Sequence, residues 1–195
     1  ATKAGDSNYL SATSADVTFT FSKLTPSTAG FTTQASSTSF ELGNSVTLTG
    51  YSIQNISGSG TYTFMDANSN VLCVASTLTY ANSATTGSCT WTPSSAATYS
   101  VKVYFSGDTY WNLVTQTSGT SITVNKTSQS ISFTAPTNKT YGDTAFTVSA
   151  SATSNLTVTF ASSTLTVCTV SGSTVTILTA GTCTLTANQS GDATY

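Results

Sequence analysis

The sequence predicts an all-β protein built from sandwich-type units, and three observations carry the prediction. Apolar and polar side chains alternate along many short segments, and a period of two places every second side chain on one face of a strand. The 195 residues include nine Tyr and nine Phe beside many Thr, Val and Ile, and such side chains pack well on pleated sheets. Gly, Asn, Asp and Ser interrupt the alternating segments at short intervals, which is typical of a β-sandwich.

The predicted strands are distributed along the whole chain. No stretch has apolar residues at the 3.6-residue spacing of a helix over a sufficient length. Strands are expected at residues 17–23, 45–53, 60–66, 98–105, 120–126, 144–152, 155–162, 173–178 and 182–187. The outward positions of these strands hold mostly Ser and Thr, so the exposed faces are expected to present hydroxyl groups rather than charges.

The low charge content argues against several classes of function. The chain has five Lys or Arg, seven Asp or Glu, no His and a formal net charge of −2. Five scattered cations do not form the basic stripe of a nucleic-acid-binding protein. Without His, the commonest general base and metal ligand is missing, so we expect no enzyme, no catalytic or metal site and no cofactor. No segment is long and apolar enough to cross a bilayer as a helix.

A six-residue phrase with Gly-Asp and an aromatic residue occurs three times. It reads AGDSNY at 4–9, SGDTYW at 106–111 and SGDATY at 190–195. We expect a repeated turn, in which Gly supplies a positive φ and Asp accepts bonds from nearby amides. A calcium site would need several oxygen ligands together, and these Asp residues have no acidic neighbours in sequence. The predicted turn residues are Gly5, Asp6, Tyr9, Gly107, Asp108, Trp111, Gly191, Asp192 and Tyr195.

The repeated phrase divides the chain into units. Its Gly residues are 102 and 84 residues apart, each close to the size of one small sandwich domain. Residues 94–111 align without gaps with 178–195, and the strand at 17–23 corresponds to that at 120–126. We therefore expect 1–23 to be the C-terminal strand segment of a preceding unit, 24–126 a complete unit A, and 127–195 a unit B without its last strand.

This layout predicts how units are joined. The chain corresponds to one period of about 186 residues from an A-B-A-B array. Residues 10–23 are expected to complete unit B of a neighbouring repeat. The connection is either uninterrupted polypeptide or a strand donated by another copy.

Both units resemble the bacterial Ig-like tandem repeats of large cell-surface and adhesin-type proteins. In unit B the resemblance lies in KTYGD, VCTVSGSTVT and AGTCTLTA within residues 131–195. In unit A it lies in LGNSVTLTG at 42–50 and AATYSVKVYFSGDTYW at 96–111. The resemblance implies two tandem Ig-like β-sandwich domains in a secreted or cell-surface array, where such repeats serve as stalks, adhesins or coat components.

The four cysteines fall as two close pairs, Cys73 with Cys89 and Cys168 with Cys183. Four cysteines allow three connectivities, and we favour the local one, with one bridge in each unit. Disulfides imply a compartment outside the cytosol. A tetrahedral zinc site is the alternative, but it would need cysteines from both units, and no Cys-x-x-Cys spacing occurs.

Other side chains leave alternatives open. The aromatic residues of the repeated phrase and its flank serve either in packing or as a sugar-stacking platform: Tyr9, Tyr110, Trp111 and Tyr195. Trp91 follows Cys89 by two residues and should share its buried face. An intramolecular Lys crosslink would involve Lys23 or Lys102 with Glu41, or Lys126 or Lys139 with Asp143, although exposed lysines are the simpler interpretation. Asn-x-Ser/Thr sequons that permit glycosylation stand at Asn55, Asn125, Asn138, Asn155 and Asn188.

The favoured function is a structural repeat unit of an extracellular bacterial surface array, such as a filament, stalk or sheath. Its partners would be neighbouring copies of the same repeat. The alternative is an adhesin module that binds a glycan or protein at a host or biofilm surface. Neither interpretation involves nucleic acid or membrane insertion.

Overall fold

The computed structural model describes residues 2–53, 56 and 59–195, and these residues form strands but no helix. The predicted all-β fold class is therefore confirmed. The strands are β1 Thr2–Lys3, β2 Ala12–Thr13, β3 Thr32–Ala35, β4 Ser39–Glu41, β5 Val46–Ser52, β6 Tyr62–Met65, β7 Val71–Ala75, β8 Thr79–Ala81, β9 Ala84–Trp91, β10 Ala97–Phe105, β11 Val114–Thr115, β12 Thr120–Asn125, β13 Ile131–Phe133, β14 Phe146–Thr147, β15 Ala150–Ala152, β16 Thr159–Ser162, β17 Cys168–Ser171, β18 Thr174–Ile177 and β19 Leu185–Asn188.

Unit A contains two sheets that share one hydrophobic core. The larger sheet has the strand order β4-β12-β10-β6-β7, with β11 also paired to β10, and the smaller has the order β3-β5-β9-β8. In the larger sheet, β12 pairs antiparallel with β10 on one side and parallel with β4 on the other. The last strand of the unit is therefore an interior strand that joins β4 to the rest of the sheet.

The core of unit A is centred on the aromatic side chains of β6 and β10. Tyr62, Phe64 and Phe105 are fully buried, and the ring of Tyr62 meets that of Phe105 edge to face at a centroid distance of 6.0 Å. Gly50 and Gly87 stand opposite each other in β5 and β9. A Cβ at Gly50 would lie 2.7 Å from the Tyr62 ring, so the glycine pair makes room for this aromatic residue.

Unit B forms three small groups of strands, paired as β13-β15, β14-β18-β17 and β16-β19. Val148, Cys168 and Val175 are buried, and Phe133 and Phe160 pack against them while partly exposed. The sheets of the described residues do not mix strands of unit A with strands of unit B. The exact domain boundaries at 23/24 and 126/127 stay predictions.

The described residues 2–23 form one short hairpin, in which Thr2 pairs with Thr13 and Lys3 with Ala12. The strand expected at 17–23 is not formed, although its alternation is intact. Val17, Phe19 and Phe21 are exposed. A strand needs a partner for its backbone and a surface for its apolar face, and the described residues place neither beside this segment.

Three predicted strands of unit B are shorter than expected. The segment 144–152 is divided into β14 and β15. The strand expected at 155–162 begins only at Thr159, and the strand expected at 182–187 begins only at Leu185. Strands 45–53, 60–66, 98–105, 120–126 and 173–178 form within one or two residues of their predicted bounds. The differences are therefore concentrated in unit B and in the segment before unit A.

Candidate functional site

The Gly-Asp phrase folds into the same turn at all three places. The backbone N–H of Asp6, Asp108 and Asp192 donates to the carbonyl three residues ahead, at N···O distances of 2.8, 3.0 and 3.0 Å. In each copy the Asp Oδ1 accepts the N–H groups of the residues two and three positions ahead, at 2.7–3.0 Å. An Asp that bonds the amides after it is characteristic of an Asx turn, and the bonding pattern recurs in full.

The glycines of the phrase do not all have the same conformation. Gly107 and Gly191 have φ values of 79° and 77°, a left-handed conformation that glycine adopts at little cost. Gly5 lacks the expected positive φ. A side chain there is excluded for a different reason, because a Cβ would lie 2.6 Å from the backbone nitrogen of Ser11.

The Asp108 turn is the docking point of the segment that enters unit A. The Lys23 Nζ donates to the carbonyl oxygen of Asp108 at 2.6 Å. The Leu24 N–H donates to the Tyr110 carbonyl at 2.9 Å, and the Asn112 N–H donates to the Leu24 carbonyl at 2.7 Å. A side-chain bond and two backbone bonds therefore hold the incoming chain against the turn.

The Asp192 turn receives the segment that enters unit B in the same way. The Lys126 Nζ donates to the carbonyl oxygen of Asp192, and the Thr127 N–H donates to the Thr194 carbonyl at 2.7 Å. Lys126 aligns with Lys23, and Asp192 aligns with Asp108. We call this arrangement, formed by a lysine, the residue after it and the next Gly-Asp turn, the Lys–turn joint.

The chain between the units is also bonded to unit A. The Leu42 N–H donates to the Asn125 carbonyl at 2.8 Å, and the Thr127 Oγ1 donates to the Leu42 carbonyl at 3.1 Å. The Ser128 Oγ donates to Glu41 Oε1 at 2.7 Å. Residues 125–128 are thus held to the end of β4 on one side and to the Asp192 turn on the other.

The turn carboxylates differ in their surroundings. Asp192 is exposed, and the backbone N–H groups of Tyr195 and Thr194 lower its pKa, with a smaller contribution from the charge of Lys126. Asp108 is mostly buried, and its Oδ2 has no hydrogen-bond partner among the described residues. The shared turn geometry is therefore kept in two different solvent environments.

The aromatic residues of the phrase are divided between packing and exposure. Tyr9 and Tyr110 are exposed, whereas Trp111 packs against the core of unit A. Trp91 is buried, with its ring 4.9 Å from that of Tyr99 in an edge-to-face arrangement. Within the repeated phrase, Tyr9 and Tyr110 are therefore the open stacking surfaces, and Tyr195 is partly exposed.

Both disulfides have the local pairing that the sequence favoured. The Cα–Cα distance is 6.0 Å for Cys73–Cys89 and 5.6 Å for Cys168–Cys183. Cys73 lies in β7 of the larger sheet of unit A and Cys89 in β9 of the smaller. The bridge therefore ties the two sheets together. In unit B, Cys168 of β17 is joined to the chain just before β19.

The residues considered for a crosslink have other contacts. Lys23 and Lys126 occupy the joints, and Lys139 Nζ lies 5.4 Å from the centroid of the Phe146 ring. Asp143 Oδ2 accepts the N–H of Thr140 at 2.8 Å. Lys102 lies within β10.

The sequon asparagines lie mostly on the surface. Asn125, Asn138, Asn155 and Asn188 are exposed or partly exposed, and the amide of Asn125 donates to the Ser39 Oγ at 3.0 Å. Asn55 lies outside the described residues. The glycosylation of these sites stays a prediction.

Comparison of the chain with protein-family models, curated proteins and solved structures gave no match. In the described part of the chain, no three or more His, Cys, Asp or Glu side chains are grouped as metal ligands would be. Within the same residues, no helix has the length and apolar character needed to span a membrane.

Proposed function

We propose that this protein is a structural repeat unit of an extracellular bacterial surface array, a filament, stalk or sheath made of Ig-like domains joined end to end. The recurrence of the Lys–turn joint is the observation that carries the proposal. The segment before unit A docks on the Asp108 turn as the segment before unit B docks on the Asp192 turn. A joint that repeats with the sequence is what a stacked array of nearest-neighbour contacts requires.

The remaining features agree with this role. The two disulfides indicate an oxidising environment outside the cytoplasm, and the low charge lets neighbouring units approach closely without repulsion. The exposed apolar face of residues 17–23 supports the idea that residues 10–23 complete a neighbouring unit B. The sequence resemblance to bacterial Ig-like repeats points to the same class of protein.

Small-angle scattering of a two-copy chain tests the array. Residues 10–195 are appended to the full chain, so that the second copy continues the repeat in phase. We expect the scattering of a stiff rod with nearly twice the maximum dimension of the single chain. The Lys23→Ala, Lys126→Ala variant, altered in both copies, should scatter as a more flexible chain. A collapsed or freely jointed two-copy chain with intact lysines would contradict the proposal.

A second candidate function is glycan or protein binding, as in an adhesin. The observation that favours it is the exposed ring of Tyr110 directly beside the Asp108 turn, since an aromatic face can stack on a sugar. A glycan array with the full chain tests this function. Binding that Tyr110→Ala abolishes would support it, and an array without signal would exclude glycans as ligands.

A further inference from the structure

Unit A shows what the last strand of such a unit does. The side chains of Ile122 and Val124 in β12 are 0% and 2% exposed. They point into the core while the backbone of β12 pairs with β10 and β4. In register, Ile122 stands opposite Tyr99, and Val124 stands opposite Ala97. The strand thus supplies backbone hydrogen-bond partners to β10 and β4 and apolar side chains to the core.

Unit B repeats the framework around that position. In β16 and β19, Phe160 stands opposite Ala187, as Phe64 stands opposite Val103 in β6 and β10. Ala187 aligns with Val103 in the sequence alignment of the repeated segments. The β16-β19 pair is therefore the counterpart of the β6-β10 pair, and the other edge of β19 corresponds to the edge that β12 covers in unit A.

Among the described residues, no strand pairs with that edge of unit B. Strand β10 has nine residues, but its counterpart β19 has four. The residues just before β19, 181–184, are not part of a strand. These residues align with 97–100, four of the residues of β10 that pair with β12. Unit B loses regular structure where its counterpart in unit A is paired to the last strand.

The backbone of this segment has groups directed at the open edge. The Thr184 N–H donates to the Thr164 Oγ1 at 2.9 Å, and its carbonyl accepts the Ser163 N–H at 3.0 Å. Both groups of Thr184 therefore face the β16 side. Because backbone groups alternate in direction along a strand, those of Cys183 and Leu185 face the opposite side.

Residues 17–23 have the matching pattern. Phe19 and Phe21 align with Ile122 and Val124, but they are 75% and 86% exposed. The intervening residues are Thr and Ser, which suit the solvent face of a sheet. The segment therefore has the apolar side chains of a last strand without the sheet that would bury them.

We propose that residues 17–23 of a second copy of this chain add to unit B as the counterpart of β12, antiparallel to 181–185. By analogy with β12, Phe19 stands opposite Cys183, and Thr20 stands opposite Thr182. The proposal rests on the array proposed above and specifies the partner, the edge and the register. Backbone hydrogen bonds hold the added strand to the sheet edge, and burial of the two phenylalanines determines which face of the strand points into the core.

The strand of the same copy does not reach this edge. Leu24 is fixed beside Tyr110 and Trp111, just beyond the C-terminal end of β10. The chain leaves unit A toward unit B at Asn125, beside the N-terminal end of β10. Nine residues of strand separate these ends by roughly 27–30 Å, whereas an extended chain from Leu24 back to Val17 spans only about 24 Å. Residues 17–23 that pair with this edge therefore belong to a different copy of the repeat.

Engineered cysteines test the register in the full chain. In unit A the counterparts of Thr20 and Thr182 have their Oγ1 atoms 3.4 Å apart, which is close enough for a disulfide between cysteines at such a pair. We expect the Thr20→Cys, Thr182→Cys protein to form disulfide-linked dimers and longer oligomers on mild oxidation. The control, Thr20→Cys with Thr186→Cys, places the second cysteine on the same exposed face but four residues out of register.

The outcome is read on a non-reducing gel, with peptide mapping to verify the native bridges and identify the new one. A concentration-dependent ladder from the Thr20→Cys, Thr182→Cys protein, much weaker in the control, supports the proposal. Equal ladders in both variants, or monomers alone, would overturn the register or the donation. If monomers persist while the two-copy chain scatters as a stiff rod, donation between copies fails and the array stands.

A peptide of residues 15–23 gives an independent test. Added to the full chain, it should slow amide hydrogen exchange at 181–185. A peptide with Phe19→Ser and Phe21→Ser should lose this effect, whereas one with Thr18→Ser and Thr20→Ser should keep it, since those positions face solvent. Protection elsewhere, or equal protection by all three peptides, would contradict a seated strand.

Discussion

Units A and B share alternating sequences and the corresponding pairs β6-β10 and β16-β19, but they differ in how well they bury their side chains. Unit A has a continuous core of fully buried residues, which include Leu48, Phe64 and Phe105. In the described residues of unit B, only Val148, Ala152, Cys168 and Val175 reach comparable burial, and the aromatic side chains around them stay partly exposed. Both sequences have the same alternation, so the difference arises from the arrangement of strands.

Phe64 and Phe160 show what this difference means. They occupy equivalent positions opposite Val103 and Ala187, yet Phe64 is fully buried and Phe160 is not. In unit A, β12 pairs with β10 and extends the larger sheet over the core. Strand β4 pairs with the other edge of β12 and so adds a further strand to this sheet. In unit A, the position of β12 is therefore part of what closes the core, since Ile122 and Val124 are buried there.

The largest expected effect is the cost of truncating these two aromatic residues. Phe64→Ala should destabilise unit A by about 3–5 kcal/mol, as for a fully buried Phe. Phe160→Ala should cost roughly half as much, because less apolar area is removed from contact. Urea unfolding, monitored in each unit by amide hydrogen exchange, measures the loss of unfolding free energy in the two variants. Equal costs would show that unit B is as well packed as unit A and would remove the contrast between them.

The disulfides provide the next test of the comparison. They span 16 and 15 residues, so loop-closure entropy gives each a similar stabilisation of about 3 kcal/mol. We expect Cys73→Ala, Cys89→Ala to leave unit A folded but less stable. Cys168→Ala, Cys183→Ala should unfold unit B, since its core is smaller. Calorimetry of the two variants separates the cases, and survival of unit B without its bridge would contradict this ranking.

The sequence predicts best the strands that alternate and lie between two partners. Strands β5, β6, β10 and β12 fall close to the expected positions because their inward residues are apolar. Strand β9 was missed, because its inward positions include Thr85 and Gly87. The glycine is needed for space, since a Cβ there would lie 2.5 Å from Leu78 Cδ2. Sequence periodicity does not reveal a position where packing demands the absence of a side chain.

The candidate site was predicted in part. Repetition of the Gly-Asp phrase identified the turns, and the side-chain bonds of Asp6, Asp108 and Asp192 agree with the expected role. The docking of Lys23 and Lys126 was missed, because the lysines bond backbone carbonyls and any residue type supplies a carbonyl. The available signal was the recurrence of a Lys at the end of each alternating strand.

A glycine exchange probes the packing difference at smaller cost. Gly50 of β5 stands opposite Thr33, and Ala150 of β15 stands opposite Phe133, at a corresponding place in unit B. Gly50→Ala should destabilise unit A by about 1–3 kcal/mol, because the new Cβ would lie 2.7 Å from the Tyr62 ring. Ala150→Gly should cost unit B only about 0.5–1 kcal/mol, the usual penalty of glycine inside a strand. Urea unfolding of both variants measures these costs. If Gly50→Ala left the free energy of unfolding unchanged, the side chains around Tyr62 would have to rearrange at little cost.

The smallest expected effect is the pH dependence of the Asp192 turn. The amides of Tyr195 and Thr194 lower the pKa of this carboxyl below its ordinary 3.8, so the ionised form is the one that the fold prefers. Its contribution is therefore complete above about pH 4–5 and is lost as the pH falls through the lowered pKa. Relative to the intrinsic exchange rate at each pH, hydrogen exchange at 194–195 should accelerate over that range. Asp192→Asn keeps an Oδ1 acceptor but does not titrate, and it should remove the acid-dependent step; an unchanged step in this variant would assign it to another carboxyl.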